Sequence, residues 1–148
     1  MYKNILVPID GSENAELAVK EAILQAQVHK ATLHVVFVVV DQTYIQYGVA
    51  MGQDVMGHLE DGANKELAKA RREIEAANVP VETHFVVGVP KIQIAEILPE
   101  KLETTLTIMG KSGVNGISRA FLGSTTEYVV RHSTTNVLVV ETPADGRE

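Results

Sequence analysis

The residues best suited to chemistry lie in one stretch, Met109 to Thr126, which reads MGKSGVNGISRAFLGSTT. Gly110, Gly113 and Gly123 remove side chains where a ligand would have to approach the main chain closely. Ser124 and Thr125 place hydroxyls and amides where a helix should begin. The first amides of a helix lack intrahelical acceptors and sit at the positive end of its dipole, an arrangement that favours a phosphate. Gly110-Lys111-Ser112 also looks like the end of a P-loop, but that motif needs a glycine where Thr105 stands. No G-x-G-x-x-G follows the first apolar run either, where Asp10-Gly11-Ser12 stands alone.

Other chemistries find little support. The chain has no cysteine, which removes disulfides, thiol catalysis and thiolate metal sites together. His29, His34, His58, His84 and His132 form no i,i+4 pair, and no carboxylate accompanies them at metal-ligand spacing, so no metal ligand is assigned. His34 and His84 fall in strand-like runs and read as satisfied strand histidines. A G-x-S-x-G elbow is missing, so a serine hydrolase has no nucleophile to point to.

The elements that must position the glycine-rich stretch are an alternation of strands and helices. Five apolar runs stand out: Ile5 to Ile9, Leu33 to Val40, Val81 to Val87, Leu106 to Met109 and Asn136 to Val140. Continuous β-branched runs of this kind suit parallel strands covered on both faces. The first helix should follow Asp10-Gly11-Ser12, capped by Asp10 or Ser12, and Asp10 with Glu13 has capping-box spacing. Its buried stripe would be Ala15, Ala18, Val19, Ala22, Ile23 and Ala26. A longer helix is expected over about 55–77, weakened at its start by Gly57 and Gly62. A third begins at Pro90 and should kink or end near Leu98, because Pro99 follows. The fourth runs from Gly123-Ser124 to about His132, and Ala144 to Glu148 reads as a frayed tail. The expected fold is α/β: an open, doubly wound, five-stranded parallel sheet with four helices in strand order 3-2-1-4-5. The glycine-rich stretch would then follow the fourth strand, at the carboxyl edge where such sheets bind ligands.

Length and composition set the bounds. The 148 residues are expected to form a single domain, 1–148, with 45% apolar and 22% charged residues. A net charge of −6 argues against a sequence-independent nucleic-acid surface. The opening MYKNILVPID is not a signal peptide, and no run approaches the roughly 18 apolar residues of a membrane span. A soluble cytoplasmic protein is the expectation.

The spacing Gly110-x2-Gly113-x9-Gly123-Ser124 resembles the G-2x-G-9x-G-[ST] motif of ATP-binding universal stress proteins. The resemblance spans nearly the whole chain, from NILVPIDGS through VVVD and VGVP to NVLVVE. It implies a Rossmann-like, nucleotide-binding domain with ATP as ligand; a divalent ion such as Mg2+ could bridge the phosphates, held largely by phosphate and water with no protein ligand assigned. By the same resemblance, Pro8 and Asp10 would line the nucleoside side, and Val39 would lie beside adenine. Met109 and Gly110 would meet the ribose and first phosphates, with Gly113, Gly123, Ser124 and Thr125 holding the phosphates. The resemblance further implies a homodimer through the Asn136 to Glu141 strand, and a regulatory protein partner in a stress response.

The sequence departs from the family pattern at Glu103-Thr104-Thr105, where many members open the fourth strand with an acidic residue. It departs again at Lys111, where a small residue is common. Lys111 and Arg119 read either as phosphate partners or as solvated surface groups. No catalytic base or arginine finger can be assigned, so a binding protein is expected ahead of a slow ATPase or phosphotransferase. A partner-binding module without nucleotide is the further alternative.

Overall fold

A computed structural model describes residues 1–51, 53–112 and 121–141. Five strands form one parallel sheet in the order β3-β2-β1-β4-β5. They are β1 (Asn4–Ile9), β2 (Thr32–Val40), β3 (Val81–Gly88), β4 (Leu106–Gly110) and β5 (Asn136–Val140), each within one residue of the expected run at either end. The helical segments are α1 (Glu13–His29), α2 (Asp41–Met51), α3 (Gln53–Ala76), α4 (Pro90–Ile92), a π-helical stretch Gln93–Ile97, α5 (Leu98–Lys101) and α6 (Ser124–His132). The sheet is therefore the expected Rossmann-like one, and α2 is a helix additional to those read from the sequence.

Strand pleating explains why the apolar runs are continuous. Ile5, Val7 and Ile9 face a core built with α1 and α3, whereas Leu6 faces a second core with the π-helical stretch, α5 and α6. Alternate side chains on one strand thus serve two layers, and both must be apolar. On α1, Ala15, Ala18, Val19, Ala22 and Ala26 are buried, and Ile23 packs partly against the same cluster.

Three local details correct or sharpen the sequence reading. The α1 cap is Ser12, whose Oγ accepts from the Ala15 amide at 3.2 Å. Asp10 instead accepts from the Ser12 amide at 3.0 Å, so its carboxylate holds the turn before the helix and the Asp10–Glu13 box is not the device used. Gly11 between them adopts φ +83°, which only glycine enters without strain.

Pro99 does not end the third helix. The preceding turn widens to π geometry, with the Leu98 amide donating to the Gln93 carbonyl. Proline lacks the amide that would satisfy the Ala95 carbonyl. The Thr134 amide donates to that carbonyl at 3.4 Å, which lets the helical path continue to Lys101. Wide turns of this kind are a recognised way to absorb such an interruption.

Helix α3 runs through Gly57 and Gly62, and the Tyr44 hydroxyl of α2 donates to Glu60 beside them. A Cβ added at either glycine would meet nothing within 4 Å. Gly57→Ala and Gly62→Ala should therefore each stabilise the protein by about 0.5–1 kcal/mol. Chemical denaturation reads this directly as a higher midpoint, and a lower midpoint for both would show that the helix is not formed there in solution.

Candidate functional site

At the carboxyl ends of β1, β2 and β4 the chain leaves a cleft of about 370 Å³. That volume falls in the range of roughly 300–1,000 Å³ usual for small-molecule sites. It opens where β1 and β4 lie side by side and their connections depart to opposite faces of the sheet, the topological switch point of this strand order.

Each wall comes from a distinct element. Pro8 and Asp10 end β1 and enter the turn, with Pro8 buried and Asp10 exposed at the mouth. Met109 and Gly110 close β4, and Gly123, Ser124 and Thr125 open α6 on the far side. Seven of the residues singled out from the sequence thus surround one cavity. Val39 is not among the lining residues, whereas Val38 and Val40 are, because alternate β2 side chains point to the two faces of the sheet. Gly113 and Arg119 lie outside the described residues, as does the 144–148 tail.

The start of α6 is arranged as an anion site would be. Gly123 occupies the cap position with no side chain capping the helix. Ser124, Thr125 and Thr126 form the first turn, whose amides have no acceptor within the helix. The acidic side chain of the first turn, Glu127, is engaged by Arg131, with 3.2 Å between Glu127 Oε1 and Arg131 Nη2.

The loop leaving β4 is held from several sides. The Gly123 amide donates to the Lys111 carbonyl at 3.0 Å, and the Lys111 amide to the Val140 carbonyl at 2.9 Å. The Thr126 hydroxyl donates to the Gly110 carbonyl at 2.9 Å. Asn14, on the first turn of α1, donates through Nδ2 to the Ser112 carbonyl at 3.1 Å and to Ser112 Oγ at 2.8 Å. Lys111 itself is only 23% exposed and its Nζ lies 3.0 Å from Glu141, so it is ion-paired rather than loosely solvated.

Gly110 and Gly123 also have a packing reason to be glycine. A Cβ at Gly110 would lie 2.8 Å from Asn14 Cβ, and one at Gly123 would lie 3.1 Å from Ser112 Cα. Both glycines let chain segments touch at the rim of the cleft. Spacing alone suggested close ligand approach and could not reveal these contacts.

Several residues at the site escaped the sequence reading. Ser12, Ser112, Phe121, Pro90 and Ile94 line the cleft as well. Pro90 and Ile94 come from α4 and the π-helical stretch after it, brought over the opening by the β3 crossover. Ser112 lay inside the discarded P-loop tripeptide, and Asn14 carried no motif at all.

Comparisons with known proteins agree with this architecture. A family model described as "Universal stress protein family" matches residues 1–141. A relative from Staphylococcus haemolyticus that carries the universal stress protein name is 36% identical over 143 residues, covering 95% of this chain and 86% of its own. Among solved structures, universal stress protein UspA from Lactobacillus plantarum is 33% identical with a TM-score of 0.77, covering 94% of this chain and 97% of that one. A universal stress protein in complex with cAMP is 26% identical with a TM-score of 0.68, covering 96% and 98%.

Proposed function

The chain belongs to the universal stress protein family, and on that footing we propose that it is a regulatory protein whose cleft binds ATP as a conformational or assembly ligand in a stress response. The single observation that carries this reading is the uncapped α6 N-terminus facing Met109 and Gly110 across one cleft. The amides of Ser124 and Thr125 would hold phosphates, with Gly113 and Gly123 shaping the loop around them. Met109 and Gly110 would meet the ribose and first phosphates. Pro8, Val38 and Val40 supply an apolar wall for the base, Val39 offers its main chain beside it, and Asp10 stands at the nucleoside end.

A divalent ion such as Mg2+ would bridge phosphate oxygens and keep water as its other ligands, since Mg2+ gives up its hydration reluctantly. The solved cAMP complex of a relative supports an adenine nucleotide as the class of ligand. The chain would act as one domain, 1–148, in the cytoplasm. No helix among the described residues is long and apolar enough to cross a membrane.

Strand β5 ends the sheet order and would pair with a second copy through Asn136 to Glu141, covering an edge that would otherwise invite promiscuous pairing. Binding by nucleotide would then bias that assembly, or a regulatory protein partner docked on it.

Calorimetry on nucleotide-free protein with ATP, ADP, AMP and cyclic AMP tests the reading. ATP should bind at least about tenfold more tightly than AMP if the helix amides hold its terminal phosphates. Equal affinities would remove the phosphate role of α6. No binding by folded protein would sink the ATP reading altogether.

A further inference from the structure

At the opposite end of the sheet, away from the cleft, the fold brings together three groups far apart in sequence. His34 on β2 and His84 on β3 face each other, with His34 Nδ1 3.2 Å from His84 Nε2. Glu82, two residues before His84 and so on the same face of β3, places Oε2 3.3 Å from His34 Nδ1 and 3.9 Å from His84 Nε2. On β1, Asn4 Oδ1 lies 3.2 Å from His34 Nε2.

Donor and acceptor counting exposes a deficit. Asn4 Oδ1 can only accept, so the neutral His34 ring carries its proton on Nε2 and turns the Nδ1 lone pair inward. That lone pair meets the carboxylate oxygen of Glu82, another acceptor, at hydrogen-bond distance. Only His84 Nε2 can bring a proton to the pair. Protonating the His34 ring would supply a second one, but burial works against it and holds the His34 imidazole below its usual 6.5 despite the pull of Glu82. Burial and repulsion from His34 lower His84 too, Lys101 adds to that effect, and Glu82 opposes it.

We propose that His34 Nδ1, His84 Nε2 and Glu82 Oε2 form a binding site for a Zn2+-class divalent cation that clasps the edge strand β3 to β2. Two imidazoles with one carboxylate form a donor set suited to zinc and poorly suited to magnesium or calcium. Donors about 2.0–2.1 Å from a tetrahedral zinc lie about 3.4 Å from one another, close to the observed 3.2, 3.3 and 3.9 Å. The two rings meet edge to edge, with centroids 5.4 Å apart and planes 17° apart. Ligation therefore turns both lone pairs toward Glu82, whose side chain is 61% exposed and can move to meet the ion. Asn4 completes the arrangement, since a ligating imidazole ordinarily gives its other N–H to a carbonyl that fixes its orientation. Water takes the fourth position. The site differs in place and chemistry from any ion bridging nucleotide phosphates, and it does not depend on ATP binding.

The test uses tag-free, nucleotide-free protein stripped with chelator, titrated calorimetrically with Zn2+ and, separately, followed by the visible absorption of added Co2+. One ion per chain with an intense tetrahedral cobalt band is expected, together with a zinc-dependent rise in melting temperature. Glu82→Gln, at an exposed position that should not disturb folding, should remove the cobalt band, as should His84→Ala. Asn4→Ala should weaken zinc by about 10–100-fold without removing a ligand. His132→Ala, remote from the cluster, should bind as wild type does. The proposal is overturned if wild type takes up no stoichiometric zinc, or if folded Glu82→Gln and His84→Ala bind it unchanged.

Discussion

A Gly123→Val chain is expected to fold and yet to lose at least about 100-fold in ATP affinity, the equivalent of roughly 2.7 kcal/mol. The added Cβ would stand 3.1 Å from Ser112 Cα and 3.4 Å from the Lys111 carbonyl oxygen, and valine carries two further carbons. Main-chain atoms of a turn cannot yield as a flexible side chain can. The displacement would fall on the Gly123 N–H bond to Lys111, which sets the distance between the end of β4 and the start of α6. Overpacking of this order costs about 1–3 kcal/mol of stability. Thr126 and Val129 remain buried and should keep α6 in place. Amides aimed at a phosphate lose most of their value when moved by an ångström, so binding suffers more than folding. Ser124→Ala serves as the contrast, because it keeps the amide and removes only a hydroxyl, and its affinity should stay within about threefold of wild type. Calorimetry on both variants, with circular dichroism to verify folding, decides the matter. Undiminished binding by folded Gly123→Val would place the phosphates elsewhere.

The same geometry shows which parts of the protein were legible in its residues. Strand ends were readable because buried parallel strands leave uninterrupted runs such as Val35 to Val40, and a glycine or a polar residue follows each one. Helix α2 left no comparable mark. Its residues Ile45 and Val49 are exposed at 61% and 84%, so these two apolar positions do not mark a buried face. The path through Pro99 was hidden for another reason. The donor that meets the Ala95 carbonyl, Thr134, comes from the connection between α6 and β5, far along the chain.

Site residues divide along a similar line. Gly110, Gly123 and Ser124 could be picked out because their spacing within one loop is local. Asn14, Pro90 and Ile94 join the cleft and its rim only through tertiary packing, and no pattern within a dozen neighbours foretells that. The His34–Glu82–His84 cluster is the plainest instance. Glu82 and His84 alternate onto one face of β3, but their meeting with His34 depends on the β2–β3 register that sets His34 beside Glu82. Linear ligand spacing cannot report a register between strands.

Gly110→Ala should lower stability by about 1–3 kcal/mol, although it adds only one carbon. That carbon would lie 2.8 Å from Asn14 Cβ and 3.0 Å from both the carbonyl carbon and oxygen of Asn14. These atoms belong to the first turn of α1, which is anchored by Ser12 and by the alanine stripe beneath it. Relief therefore requires α1 and β4 to part, and the contact between them is where the cleft floor is built. The melting temperature should fall by about 2–4 °C for each kcal/mol lost. Separation would also pull Asn14 Nδ2 from Ser112, whose 2.8 and 3.1 Å bonds hold the entry of the loop. The variant should thus respond weakly to ligand as well. ATP at 100 times its dissociation constant stabilises a binding protein by about 2.7 kcal/mol, and the wild type should show that full rise. Melting curves for both proteins, at one fixed ATP concentration and without it, separate two roles for this glycine. A lower melting temperature with a reduced ATP-dependent rise would mean that the α1–β4 contact sets the geometry of the binding loop. A lower melting temperature with the full rise would mean that Gly110 serves packing alone and that the loop is positioned from the α6 side.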